Sequence, residues 1–116
     1  MNNICHIEIP SKDFEKAKKF YGDVFSWKFE EIKEMNYLTF KAPEGINGGF
    51  TDESEINSKP GILLYIEIED MEGTIKKAEE TGGATVVGKT QISPEFGYFA
   101  HVKDLEGNVI GLWSKN

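Results

Sequence analysis

The sequence predicts an α+β protein made of two copies of one βαβββ unit, and three observations carry that prediction. First, His6-Ile7-Glu8-Ile9 alternates like a strand and leads to Asp13, while Leu64-Tyr65-Ile66-Glu67-Ile68 does the same and leads to Asp70. Second, each aspartate opens a helical pattern that three strand-like stretches follow. Third, Asn47-Gly48-Gly49-Phe50 closes the first half much as Asn108-Val109-Ile110-Gly111-Leu112-Trp113 closes the second. Half of 116 residues is too little to bury its own apolar face, so the two units are expected to pack on each other. The reading is one domain, 1–116, of repeat modules 1–55 and 60–116.

Each element has a local reason. Ile4 to Ile9 alternates, with Cys5, Ile7 and Ile9 on one face and His6 and Glu8 on the other, and Pro10 ends the strand. Ser11 or Asp13 can cap the next helix, whose apolar stripe is Phe14, Ala17, Phe20, Tyr21 and Val24. Trp27 to Ile32 and Tyr37 to Lys41 read as strands joined by a polar turn, followed by a short glycine-rich strand, Gly48 to Thr51. Asp52 to Pro60 is polar and aperiodic, the linker between modules. Ile62 to Ile68 is then a strand and Asp70 to Thr81 a helix that turns Met71, Thr74, Ile75 and Ala78 inward. Gly82-Gly83 stops that helix, because glycine accepts the left-handed backbone after the last turn. Ala84 to Lys89, Gly97 to Lys103 and Asn108 to Ser114 complete the strands, the last two joined by a turn with Gly107 and Asn108 at its strained positions.

Composition narrows the function classes. A net charge of −7 argues against nucleic acid and against anionic membrane surfaces, both of which require a basic face. Acidic charge is also an ordinary route to solubility. No apolar run approaches the ~20 residues that span a bilayer, and no secretory leader is expected, since the first residues do not read as a basic segment followed by an apolar one. Cys5 is the only cysteine, which excludes an internal disulfide and fits a reducing cytoplasm. By strand parity it faces away from His6 and is expected to be a buried structural thiol. Gly48-Gly49 and Gly82-Gly83 lack the spacing and lysine of a phosphate loop.

The ordered set His6-Ile-Glu-Ile-Pro10, Asp13-Phe-Glu-Lys-Ala-Lys-Lys-Phe-Tyr21, Asp23-Val-Phe-Ser-Trp27, Asp104-Leu-Glu-Gly-Asn108 and Gly111-Leu-Trp113 resembles the vicinal oxygen chelate superfamily. That superfamily includes glyoxalase I, bleomycin-resistance proteins and extradiol dioxygenases. The resemblance covers nearly the whole chain, with Ser26 where glycine is common and Leu105 where proline is common. It implies a U-shaped, mostly antiparallel sheet around a cleft, and association as a homodimer. It also implies metal ligands on the first and last strand of each half, which fall on His6, Gly49, Leu63 and Gly111. Only His6 is a donor, and a shift of register to Tyr65 adds a poor one, so the family's metal site is read as absent and no cofactor is expected.

His6 and Glu8 share the cleft-facing side of their strand and are the candidate catalytic pair, with a half-buried, hydrogen-bonded structural histidine as the plainer reading of His6. Tyr65 and Glu67 occupy the matching place in the second half, so two acids and a tyrosine are able to converge in one cleft, with solvated rim charges as the plainer reading of Glu8 and Glu67. His101 has ambiguous parity: Tyr98, Ala100 and Val102 compete with Phe99, His101 and Lys103 as the inward set. The expected cleft lining is Tyr37, Phe40, Gly49, Tyr65, Glu67, His101, Gly111 and Trp113, where Gly111 leaves a dent beside the indole that suits a flat apolar ligand or a dimer contact. Two functions follow. One is metal-free binding of a small, partly aromatic molecule; the other is a glyoxalase I-like lyase or isomerase on a rearranged site of His6, Glu8, Glu67 and His101, with a divalent metal as its cofactor. A pure interaction domain is less attractive.

Overall fold

Asp13 and Asp70 start the two helices in the same way. In the computed structural model, which describes residues 1–116, the Asp13 carboxylate accepts from the Glu15 amide and α1 runs Phe14–Phe25. Asp70 accepts from the Gly73 amide and α2 runs Met71–Thr81. A side-chain oxygen at this position satisfies one of the free N–H groups of a first turn. α1 ends at Ser26, which adopts the left-handed backbone with φ 62°, and α2 ends at Gly82 with φ 113°. The serine therefore does the same conformational job as the glycine that is common there.

The strands are β1 (Ile7–Pro10), β2 (Lys28–Ile32), β3 (Tyr37–Lys41), β4 (Gly48–Thr51), β5 (Tyr65–Glu67), β6 (Ala84–Ser93), β7 (Gly97–Lys103) and β8 (Val109–Ser114). They form two open four-stranded sheets, one per module, in the orders β1-β4-β3-β2 and β5-β8-β7-β6. In each, the first strand runs parallel to the last and the other pairings are antiparallel. This is the predicted α+β architecture of two βαβββ modules. Strand boundaries differ by more than one residue in three places. β1 begins at Ile7 rather than Ile4. β6 continues to Ser93 across three register shifts. β5 has only three residues, although single bonds from Gly111 N–H to Leu64 and from Ile68 N–H to Trp113 extend its ladder by one residue each way. Ile62 is exposed because no strand lies beside it.

Alternation along the strands separates a covered face from an open one. Ile9, Leu38, Phe40 and Phe50 of the first sheet, and Ala100, Val102, Ile110 and Leu112 of the second, form one core with the helix residues Phe20, Tyr21, Met71 and Ala78. The helices pack on each other, and α2 also lies on β6, β7 and β8. One expectation is corrected here. Cys5 precedes the first strand and is exposed, so it is no buried thiol. Phe40 lies on the covered face, opposite in parity to Tyr37, and stacks on Trp27 with ring centroids 4.3 Å apart. It is a core residue whose edge also borders the groove between the modules. No helix is long and apolar enough to cross a membrane.

The Asp104–Asn108 turn locks the modules together. Gly107 alone takes a positive φ there, 98°, so Asn108 is not present for backbone strain as expected. Its side chain donates to the Pro10 carbonyl at 2.7 Å and accepts from the Asn57 amide at 2.7 Å. Glu106 accepts from the Ser11 hydroxyl at 2.5 Å and from the Lys12 and Asp13 amides at 2.7 and 2.8 Å. Its carboxylate thus sits at the start of α1, where the helix dipole favours negative charge. Ser11 serves this contact, and Asp13 is the cap.

Candidate binding site

The open face of the second sheet is a small grid set by strand register. Tyr65, Gly111 and His101 lie side by side on β5, β8 and β7, and Glu67, Trp113 and Phe99 form the next row. Paired residues point to the same face, so these six share it. Burial of Ala100 and Val102 resolves the parity of β7: Phe99, His101 and Lys103 face outward.

Gly111 has no side chain, and the Tyr65 ring lies over it: a Cβ there would stand 2.5 Å from that ring. This placement brings the Tyr65 hydroxyl within 3.0 Å of His101 Nε2. The indole N–H of Trp113 donates to the Phe96 carbonyl at 2.7 Å, which pins the ring. Tyr65, Ile92, Phe99 and Trp113 line a cavity of about 350 Å³. Ile92, on the irregular part of β6, carried no sequence signal, because the expected strand stopped at Lys89.

The first sheet carries a parallel arrangement. Tyr37 on β3 covers Gly49 on β4, where a Cβ would come within 2.3 Å of the phenol ring. The Tyr37 hydroxyl donates to Glu8 at 3.0 Å and lies 2.7 Å from His6 Nε2. A phenol has one hydrogen, so with Glu8 accepting it, His6 donates to the phenol oxygen. Burial, followed by the adjacent Glu8, pushes the Tyr37 hydroxyl up to about 12.

These contacts sort the candidate residues into two groups. Glu8 joins Tyr37 rather than Tyr65, and the two histidines serve separate sheets, each bonded to its own tyrosine. Glu67 is exposed beside Trp113. A larger groove of about 1320 Å³ opens between the modules, bordered by Trp27, Phe40 and Ile46 from one side and Leu64, Tyr65 and Glu67 from the other.

A divalent metal of the superfamily's kind would need donors at His6, Gly49, Leu63 and Gly111. Only His6 has one, and tyrosine rings fill the space above both glycines. No three His, Cys, Asp or Glu side chains gather as metal ligands would. The residues do not fit that ion.

Residues 3–43 match the family described as bleomycin resistance protein-like N-terminal. A glyoxylase-like domain-containing protein of Didymella fabae is 35% identical, over 97% of this chain and 93% of its own length. A lactoylglutathione lyase of Schizosaccharomyces pombe is 32% identical over 85% of this chain, which spans only 32% of that protein. Among solved structures, a fosfomycin resistance protein from Listeria monocytogenes, crystallised with Mn(II) and a dihydroxypropylphosphonic acid, superposes with TM-score 0.80 at 12% identity, over 97% of this chain and 90% of that one. An antibiotic binding protein from a Streptomyces species gives TM-score 0.74 at 25% identity, over 100% and 98%. With its paired βαβββ modules and a glyoxylase-like relative matched along almost its full length, the chain belongs to the vicinal oxygen chelate superfamily, on its glyoxalase and bleomycin-resistance side.

Proposed function

We propose that this protein binds a small, flat, largely apolar molecule on the open face of its second sheet, without the superfamily's metal. The observation that carries the reading is the cavity between Tyr65, Ile92, Phe99 and Trp113. Its volume lies at the low end of ligand pockets, and its side chains leave it unfilled. Aromatic walls suit a planar ligand, since ring faces gain both buried area and offset stacking. The donor set argues against a chelated ion, as only one of the four ligand positions carries a side chain able to coordinate. A fluorescence titration with fused-ring aromatics tests the proposal. Quenching of Trp113 that saturates in the wild type and disappears in Phe99→Ala supports it; no saturable binding in the wild type removes it.

Homodimer formation follows from the family resemblance and is part of the proposal. Val86 and Phe96 stand exposed on β6 and the turn after it, as a second chain's contact would require. Sedimentation at micromolar concentration tests this.

A second reading is favoured by the chain His6–Tyr37–Glu8. Linked hydrogen bonds of this kind can move a proton from a carbon next to a carbonyl toward a carboxylate. In that reading His6 and Glu8 are the catalytic pair of a lyase or isomerase, and Tyr37 holds them in register. Assays of methylglyoxal–thiol adducts, with and without Ni²⁺, Zn²⁺ or Mn²⁺, decide it: turnover lost in Glu8→Gln supports the reading, and no turnover under any condition removes it.

A further inference from the structure

We infer that the cavity selects a neutral planar aromatic molecule that carries a phenol-type hydroxyl, recognised by the Tyr65–His101 pair. The inference rests on the reading of this cavity as the ligand site and names the ligand class. Three of the four walls offer nothing polar: Ile92 and Phe99 have no such atoms, and the Trp113 N–H is spent on the Phe96 carbonyl. The Tyr65 hydroxyl is what remains. It is held against His101 Nε2 at 3.0 Å, and the His101 ring centroid lies 5.9 Å from that of Tyr65 and 5.3 Å from that of Phe99.

That single bond uses one hydrogen and one lone pair, so the tyrosine oxygen keeps capacity for a further partner. If tyrosine donates to the imidazole, its oxygen can still accept. If the imidazole donates to tyrosine, the phenol hydrogen is free to be given away. A hydroxyl on the ligand matches both arrangements, because it can donate or accept, whereas a carbonyl only accepts. A carboxylate fits worse. Glu67 stands next to Trp113 on the same face, and the chain carries a net charge of −7. An anion entering between aromatic walls would lose hydration without gaining a cation. A site built to bond a hydroxyl also discriminates against the analogue that lacks one, since its own polar atoms are then covered and unpaired.

The test is calorimetric titration of the full chain at about pH 7 with three probes of one ring system: naphthol, naphthalene and naphthoate. The expected order has naphthol about tenfold tighter than naphthalene, the effect of about one hydrogen bond, and naphthoate weakest. The double variant Tyr65→Phe with His101→Leu keeps a ring over Gly111 and removes both polar atoms; there, naphthol and naphthalene are expected to bind alike. Equal affinities in the wild type, tightest binding of naphthoate, or a naphthol preference that survives in the double variant would each overturn the inference while leaving the cavity a ligand site. Failure of all three probes to bind would instead overturn the reading of the cavity itself.

Discussion

The Tyr21 hydroxyl on α1 donates to the Asp104 carboxylate at 2.8 Å, joining residues 83 apart in sequence inside the protein. Tyr21 is fully buried and Asp104 nearly so. The carboxylate tolerates this position because four donors converge on it. Tyr21 Oη and Asn108 Nδ2 bond one oxygen, and the Glu106 and Asn108 amides bond the other. Deleting one partner leaves a buried charge short of a bond, which costs more than the bond contributes when intact. Tyr21→Phe is therefore expected to lower the unfolding free energy by about 1–3 kcal/mol in urea titrations. An unchanged midpoint would show that the link between modules is not held there.

Gly48 and Gly49 are adjacent on β4 but should respond very differently to alanine. A Cβ at Gly48 would lie 1.9 Å from the Ile7 carbonyl oxygen, a backbone atom of the paired strand. Relief requires β1 and β4 to separate, so Gly48→Ala is expected to cost about 3 kcal/mol or more. At Gly49 the obstacle is the outer end of the Tyr37 ring, which can swing away. Gly49→Ala should cost only about 1 kcal/mol while breaking the Tyr37 bonds to His6 and Glu8. Denaturant titration ranks the two, and the alkaline titration of Tyr37 reports the second effect.

Stability should fall in alkali. Burial and then the neighbouring Asp104 carboxylate push the Tyr21 hydroxyl well up, and Tyr37 is pushed up to about 12. For a group whose folded value exceeds its unfolded value of about 10, the contribution is complete below pH ~10 and is lost as pH rises through the folded value. Urea midpoints are thus expected to decline above about pH 10. The decline should shrink in Tyr21→Phe, which removes the more deeply buried phenol, and an identical pH profile in that variant would refute the assignment.

Titration of Ni²⁺, Zn²⁺, Mn²⁺ and Fe²⁺ into chelator-stripped protein is expected to give no tight one-per-chain binding. The positions that would bind are glycine, leucine and glycine beside His6. Stoichiometric binding abolished in His6→Ala would overturn the metal-free reading and move attention to the first sheet.

Gly111→Ala bears on ligand binding more than on folding. The added methyl meets the Tyr65 ring, not backbone, so the ring must leave the cavity wall and release His101. Aromatic probes should lose most of their affinity while the unfolding free energy falls by about 1–3 kcal/mol, leaving the chain folded. Retained affinity would mean that the Tyr65 position is immaterial.

Much of the architecture was legible locally. Helix starts follow from Asp13 and Asp70, and helix ends from residues that accept a left-handed backbone. β3, β4 and β7 lie where alternation and glycine place them, because period-two patterning and turn chemistry act over a few residues. Short β5 and bulged β6 were less readable, since their limits depend on which strand lies alongside. The candidate site was legible as a list but not as groups. Tyr65, His101, Gly111 and Trp113 do share a face, yet Phe40 fell to the covered side and Ile92 gave no signal.

The sequence by itself determined the two βαβββ modules, the helix caps, and the lack of donors at three of the four ligand positions. These are properties of residue type and near-neighbour spacing. Only the tertiary structure decided that each glycine would be covered by a tyrosine, that each tyrosine would hold a different histidine, and that Asp104 and Asn108 would lock the modules instead of merely turning the chain. Those outcomes depend on strand register and on contacts between residues as far as 98 positions apart, where no local preference operates.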